Sequence, residues 1–138
     1  MSNAGGERRA RVLLGLSGAA GLALLVIGVR FITVPQSAAR FFGIGAQPTS
    51  FDLHYVIALR DLWLALLLIA LAALRDWRGL ALWLALGAFV CVGDSWIAAT
   101  SSGRPVSVAF HLASGAFWAG LAAACWKAAR RSAFERQT

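Results

Sequence analysis

Five ionisable residues lie within long apolar stretches of this 138-residue chain: Arg30, Arg60, Asp61, Asp94 and His111. A charge inside a membrane helix costs about 3 kcal/mol or more, so such residues suggest function by default. A histidine beside carboxylates can act as a general acid or base. An arginine can bind an oxygen anion of a ligand or of a developing enolate. The chemistry that fits is proton transfer on a lipophilic molecule, such as isomerisation or cyclisation.

Four apolar runs of about 20 residues hold these side chains, and each run holds at least one of them. A helix of this length is sufficient to cross the hydrocarbon core of a bilayer. The predicted membrane-spanning segments are 12–31, 51–74, 79–99 and 105–126. We therefore predict an all-α integral membrane protein, a four-helix bundle over residues 12–126, with basic cytoplasmic tails at 1–11 and 127–138.

The connections between the runs contain residues that end helices. Pro35 ends the first helix, because proline cannot continue it. Residues 36–42 are predicted to form a short interfacial helix, with Phe41 and Phe42 dipping into lipid. The short segment 75–78 predicts a tight turn, so the second and third spans should be antiparallel neighbours.

The composition excludes several classes of protein. Hydrophobic residues make up 59% of the chain and charged residues only 14%, whereas soluble domains have about 25% charged residues. The net charge of +7 does not indicate a nucleic-acid partner, because the charges lie at the ends of apolar runs and at the termini. The first run exceeds the roughly 7–15 apolar residues of a signal peptide, which favours a retained helix.

The distribution of basic residues predicts the orientation in the membrane. Nine positive charges fall on the side of the two termini: Arg8, Arg9, Arg11, Arg75, Arg78, Lys127, Arg130, Arg131 and Arg136. The other side has Arg40 and Arg104, with Arg30 near its surface. We predict that the protein lies in the inner or plasma membrane of the cell. The positive-inside rule then places both termini in the cytoplasm. So strong a bias argues against insertion in both orientations.

The five ionisable residues share one depth. At ~1.5 Å of rise per residue, all of them fall in the outer half of the bilayer, within about 14 Å of the outer helix ends. We predict one polar pocket there, with Asp61, Asp94 and His111 as candidate acid–base residues. The predicted ligand-binding residues are Arg30, Arg60, Trp63, Ser95, Ser107, Ser114 and Trp118. The two tryptophans are alternatively packing residues of the bundle.

No metal or cofactor is predicted. The two cysteines, Cys91 and Cys125, fall at different depths, too far apart for the ~7 Å limit between the Cα atoms of a disulfide. The chain has no Cys/His spacing typical of zinc, no nucleotide-binding loop and no haem attachment motif.

Three functions remain open at this stage. The first is a protein that binds or converts a lipophilic small molecule. The second is a structural or partner subunit whose buried charges only hold the helices together, with Arg60 and Asp61, about 100° apart on a helix, each pairing across to another span. The third is a small proton-coupled transporter using Asp61 or Asp94. The oligomeric state is not predicted.

Several short motifs resemble one family. They are Gly28-Val29-Arg30-Phe31 followed by Pro35, then 38–43 (AARFFG), Arg60-Asp61, Gly93-Asp94 and His111. Together they are similar to a family of small bacterial and fungal membrane proteins of unknown function, over about residues 28–118. The resemblance implies four helices and no particular activity.

Overall fold

The computed structural model describes residues 4–45 and 50–134, and the regular structure within those ranges is entirely helical. The helices are α1 (Ala4–Thr33), α2 (Pro35–Phe42), α3 (Asp52–Ala73), α4 (Trp77–Ser101) and α5 (Pro105–Phe134). The four long helices, α1, α3, α4 and α5, are long and apolar enough to cross a membrane. The chain is therefore a multi-pass membrane protein, and the predicted all-α four-helix architecture is confirmed.

Two helices extend past the predicted spans. Helix α1 begins at Ala4, and α5 continues to Phe134. Much of the two basic tails is thus helical, because arginine, lysine and alanine favour helix even where they are too polar to cross a membrane. Residues 1–3 and 135–138 of the predicted tails lie outside the described residues.

The short helix between the first two spans is confirmed. Helix α2 begins at Pro35, at a first helical position where a missing N–H breaks no hydrogen bond. It ends at Gly43, whose φ of 107° and whose N–H bond to the Ala39 carbonyl form a left-handed cap. A Cβ atom at Gly43 would lie 2.7 Å from the Cβ of Ala98. Glycine therefore allows the end of α2 to rest directly on α4.

The long helices associate as two antiparallel pairs, α1 with α3 and α4 with α5, and contacts between the pairs are few. The tight turn between α3 and α4 is present: the Asp76 carboxylate accepts a hydrogen bond from the Gly79 N–H at 3.1 Å. The prediction that these two helices are neighbours holds only near this turn, because a turn fixes the ends of two helices and not their course. Each packs mainly against a different partner.

Glycines allow the backbones within each pair to approach closely. A Cβ atom on Gly28 of α1 would lie 3.1 Å from the Ala58 carbonyl oxygen of α3, and one on Gly21 would lie 2.7 Å from Cγ1 of Ile69. In the second pair, a Cβ atom on Gly115 would lie 3.1 Å from the Cβ of Cys91. Close contact at small residues is a common way to hold membrane helices together.

The two ends of the bundle differ. The turn end carries the α3–α4 turn, the N-terminus of α1 and the C-terminus of α5. The opposite end carries α2 and is called the α2 end. A buried apolar cluster fills the turn end and takes residues from all four long helices: Leu13, Ala20, Leu68, Ala72, Leu80, Ala81, Leu84, Leu121, Ala122 and Cys125. A smaller cluster lies under α2: Phe31, Ala38, Ala39 and Ala58. The turn-end cluster thus joins the two helix pairs at one end only.

Candidate functional site

A cavity of about 490 Å³ lies between the two helix pairs, with residues from all five helices in its wall. Its size falls within the ~300–1,000 Å³ of pockets that hold small molecules. It lies where the pairs have few contacts with each other.

Most of the predicted site residues meet in this cavity. Eight of the ten line it: Arg30, Arg60, Asp61, Trp63, Asp94, His111, Ser114 and Trp118. Ser95 and Ser107 are buried elsewhere. Four separate helices therefore bring their polar residues to one place.

The cavity wall changes character along its length. On α4 the lining residues, in order from the turn end, are Trp83, Leu86, Gly87, Val90, Cys91 and Asp94. Eleven residues of helix cover about 16 Å. The first part of this wall is apolar, and the last part carries the carboxylate. The cavity is thus polar towards the α2 end and apolar towards the turn end.

Two tryptophans are in contact at the apolar part, with their ring planes inclined by 41°. The rings of Trp83 and Trp118 lie 5.2 Å apart. Trp118 also lies so close to the α4 backbone that a Cβ atom on Gly87 would overlap its ring. Gly87 therefore makes room for an aromatic wall.

At the polar end, Arg60 and Asp61 pair with each other. The Nε of Arg60 donates to Oδ1 of Asp61 at 3.1 Å, and Nη2 is equally near. The Asp61 side chain is buried, whereas that of Arg60 is 46% exposed. The expectation that each would pair across to another span was wrong, because the long arginine side chain bends back onto its neighbour in sequence.

Asp94 also lines the cavity. Within the described ranges it forms neither a hydrogen bond nor an ion pair. Arg30, the other cation in the wall, donates a long hydrogen bond to the Ser37 hydroxyl at 3.4 Å and lies 6.0 Å from the centre of the Phe41 ring. Among the described residues, the hypothesis that buried charges hold the helices together therefore has one ion pair in this wall, Arg60–Asp61, and it lies within a single helix.

His111 has a defined orientation. Its Nε2 lies 2.8 Å from the Phe42 carbonyl oxygen. Since a carbonyl oxygen only accepts, Nε2 carries the hydrogen, and in the neutral ring Nδ1 is left with its lone pair. The ring also packs against the Phe42 ring at 4.5 Å. The geometry therefore leaves Nδ1 as the nitrogen that can accept a proton.

Helix α5 and Arg104, the residue before it, supply donors for the last carbonyls of α2, which have no partner within their own helix. The Ser107 hydroxyl donates to the Phe41 carbonyl, and Nη1 of Arg104 to that of Arg40, both at 3.0 Å. With His111 on Phe42, these bonds attach α2 to α5. Ser107 therefore has a structural position, and Ser95 donates only to the Val92 carbonyl of its own helix, at 2.7 Å.

Sequence reasoning missed several residues of the wall: Phe31, Trp83, Cys91 and Phe110. It also placed Phe41 and Phe42 towards lipid. Both line the cavity, and Phe41 is in addition 51% exposed at the surface. Phe42 packs against Phe31 and His111, and Phe41 against Phe110. A short amphipathic helix looks the same in sequence whether it rests on lipid or on a neighbouring helix, so no signal could have separated the two.

His54 is seven residues before Asp61 and lies on the same face of α3. It is buried between the rings of Phe31 and Phe51, away from the cavity wall. Neither of its ring nitrogens has a partner among the described residues. The two cysteines are free and buried. In the same parts of the chain, no three His, Cys, Asp or Glu side chains are grouped to hold a metal ion.

Comparison with known proteins gives one family. No curated protein and no solved structure matches the chain. The sequence model of one family matches residues 21–125, a range that includes all ten predicted site residues. The resemblance to a family of unknown function is confirmed. The chain belongs to the family described as a domain of unknown function (DUF4267).

Proposed function

We propose that this protein binds a lipophilic small molecule inside the membrane and converts it by acid–base chemistry, with isomerisation or cyclisation as the candidate reactions. The observation that carries the proposal is the cavity of about 490 Å³ between the helix pairs, polar at one end and apolar at the other. Such a space suits a molecule with a polar group and a hydrocarbon body.

The helices pack closely within each pair but not between the pairs, where the cavity lies. Within each pair, glycines allow contact between backbones. Between the pairs, the side chains that line the cavity, Leu86 and Val90 among them, do not fill it. An empty space forfeits packing, at a cost of roughly 24 cal/mol per Å³ in protein cores. A bound molecule would restore the missing contacts.

Two residues have suitable positions for proton transfer. Nδ1 of His111 is the free acceptor of a ring held in place through Nε2, and the Asp94 carboxylate faces the same cavity. An isomerisation removes a proton from one atom of the substrate and returns one to another. In this proposal Nδ1 of His111 takes the proton from one substrate atom and, as the imidazolium, returns it to another, while the Asp94 carboxylate stabilises the positive charge on the ring and Arg60 and Asp61 form a polar wall beside them.

The orientation in the membrane is part of the proposal. The terminal basic residues, such as Arg8 on α1 and Arg130 on α5, belong to the turn end of the bundle. The positive-inside rule supports a cytoplasmic turn end and cytoplasmic termini in a cell membrane. The polar part of the cavity would then lie in the outer half of the bilayer.

Neither rival function has equal support. A transporter needs polar groups along its path, but the turn-end cluster closes that end with buried apolar side chains. A purely structural network agrees with the bonds of Ser107 and His111 to α2. It does not explain Asp94, which has no partner in the described part of the chain.

A pair of leucines on α4 gives the test. Leu86 lines the cavity and is 60% exposed, whereas Leu82, one turn away, is 63% exposed and outside the wall. We expect wild type and Leu82→Trp, purified in mild detergent, to retain a small molecule detectable by native mass spectrometry. Leu86→Trp should lose it, because the indole fills the cavity. Equal retention by both variants, or none by wild type, would refute the proposal.

A further inference from the structure

We infer that the cavity selects a lipophilic cation, an amine or quaternary ammonium group attached to a hydrocarbon body. The inference rests on the proposed function, since it names the chemical class of the molecule that the cavity would bind. It follows from three features of the wall: an unpaired carboxylate, the aromatic rings around the cavity, and the change from polar to apolar residues along α4.

The charges beside the cavity leave one carboxylate over. Among the residues that the structure describes, the cavity wall has two arginines, Arg30 and Arg60, and the guanidinium of Arg60 already bonds to Asp61. Asp94 has no ionic partner among the described residues. Together, Arg60, Asp61 and Asp94 carry one positive and two negative charges. A carboxylate away from water is costly unless a cation joins it, so a cationic ligand would complete the site.

Arg30 does not supply that cation. It is exposed, and its guanidinium lies against Ser37 and the Phe41 ring. It sits within a turn of the end of α1, about 5 Å from Thr33 along the axis, whereas Asp94 lies about 10 Å inside the end of α4. The positive charge of Arg30 therefore stays at the rim. An anionic ligand could meet it there, but deeper in the cavity that ligand would face Asp94.

The aromatic side chains of the wall suit a cation. They are Phe31, Phe41, Phe42, Trp63, Trp83, Phe110 and Trp118. The face of an aromatic ring attracts a cation within about 6 Å, and aromatic walls are the usual means of recognising ammonium groups. The position of the Arg30 guanidinium, 6.0 Å from the centre of the Phe41 ring, is one such contact already present. Of these rings, Phe42 and Phe110 pack against His111, so the polar end of the wall combines aromatic faces with the Asp94 carboxylate, as a site for an ammonium head requires.

The apolar part of the cavity sets the direction in which the ligand lies. From Asp94 towards the turn end, α4 presents Cys91, Val90, Gly87 and Leu86, and the wall ends at Trp83. The ammonium head would lie beside Asp94. The hydrocarbon body would extend along the apolar part of the α4 wall towards Trp83 and Trp118. The neighbouring pair Arg60–Asp61 adds no net charge.

Three probes that share a saturated alkyl chain but differ in the head group separate the possible ligand classes: dodecyltrimethylammonium, dodecanol and dodecanoate. The protein is placed in nanodiscs of zwitterionic lipid, and saturable binding of each radiolabelled probe is measured above that of empty nanodiscs. We expect the ammonium probe to bind at least tenfold more tightly than the other two. Asp94→Asn should remove this preference, and Asp94→Glu should keep it. Asp52→Asn removes a charge from the exposed start of α3 and should change nothing.

The outcomes distinguish the two proposals. If dodecanol or dodecanoate binds as tightly as the ammonium probe, and Leu86→Trp blocks that binding, the cavity binds ligands but the cation inference is wrong. Equal weakening by Asp94→Asn and Asp52→Asn would also overturn it, because the effect would then come from surface charge. Failure of all three probes to bind saturably, with Leu86→Trp behaving as wild type, refutes the binding function itself.

Discussion

The contacts within the two helix pairs differ in kind from those between them. Within the pairs, glycines such as Gly28 and Gly115 bring backbones so close that an added Cβ atom would crowd the facing helix. Between the pairs, the turn-end cluster gives contact at one end, and the cavity separates the helices beyond it. The first kind of contact fixes helix positions. The second kind leaves space that polar residues and aromatic rings surround.

This difference separates stability from function in the same small bundle. The contacts within the pairs set glycines against apolar residues such as Leu62 and Ile69, and the turn-end cluster is apolar throughout. The groups capable of chemistry are concentrated between the pairs, near α2. Substitutions in the two regions should therefore have different consequences, and four of them test this in order of expected size.

The largest effect should come from Gly28→Val. The added side chain would meet the Ala58 carbonyl oxygen and Leu62 on the facing helix. We expect a loss of about 3 kcal/mol in the free energy of unfolding, at the upper end for overpacking, measured by titration with denaturing detergent in mixed micelles. Gly18→Val, on the same helix with open space around it, is the matched control. A similar loss in both variants would mean that close backbone contact does not hold α1 to α3.

Next in size is Leu84→Ala in the turn-end cluster. Leu84 is fully buried. Removing its side chain should cost about 2 kcal/mol of unfolding free energy, the low end for a core leucine. Leu82→Ala, where the leucine is 63% exposed, should cost almost nothing in the same assay. If the two variants unfold alike, the cluster does not join the two helix pairs.

A smaller effect is expected at His111, where the two regions meet. His111→Ala leaves the Phe42 carbonyl without its donor and should cost about 1–2 kcal/mol. His111→Gln can still donate from a similar position, so most of the stability should return while the Nδ1 acceptor is lost. Thermal unfolding of the two variants gives the comparison. Equal stability of both would show that the bond to α2 contributes little.

The smallest effect on stability should be that of Asp94→Asn. Because this carboxylate has no partner in the described part of the chain, the substitution should leave the melting temperature unchanged or raise it slightly. Breaking a buried ion pair would instead cost about 3–5 kcal/mol. Arg60→Ala, which removes the partner of Asp61, is the comparison and should destabilise more. A large loss at Asp94 would support a structural network.

The sequence was sufficient to predict the four crossings, because an apolar run of about 20 residues has few alternatives to a membrane helix. It also predicted a short helix after Pro35, over 36–42, and the observed α2 begins one residue earlier because proline is tolerated at a first helical position. The pairing of the helices was not predictable. Apolar residues surround each long helix, so the sequence does not show which face meets a partner and which meets lipid.

Much of the site was predictable for a similar reason. Charged residues within apolar runs are conspicuous, and depth counting placed Asp61, Asp94 and His111 together. Their partners were not visible. His111 bonds to a backbone carbonyl of α2, and carbonyls carry no signal in a sequence. Ser95 and Ser107 looked like site residues because they share the depth or the helix face of the charges, but each donates to the backbone instead.

Part of the cavity wall, including Leu86 and Val90, lies apart from the glycine contacts, and this has a consequence for how such proteins can evolve. Wall positions such as Leu86 and Val90 can change in size or polarity without disturbing Gly28 or Gly115. A lineage could therefore acquire a new ligand through a few substitutions while its scaffold stays intact. Substitutions at these wall positions can therefore be selected for ligand binding without a compensating change at the glycine contacts.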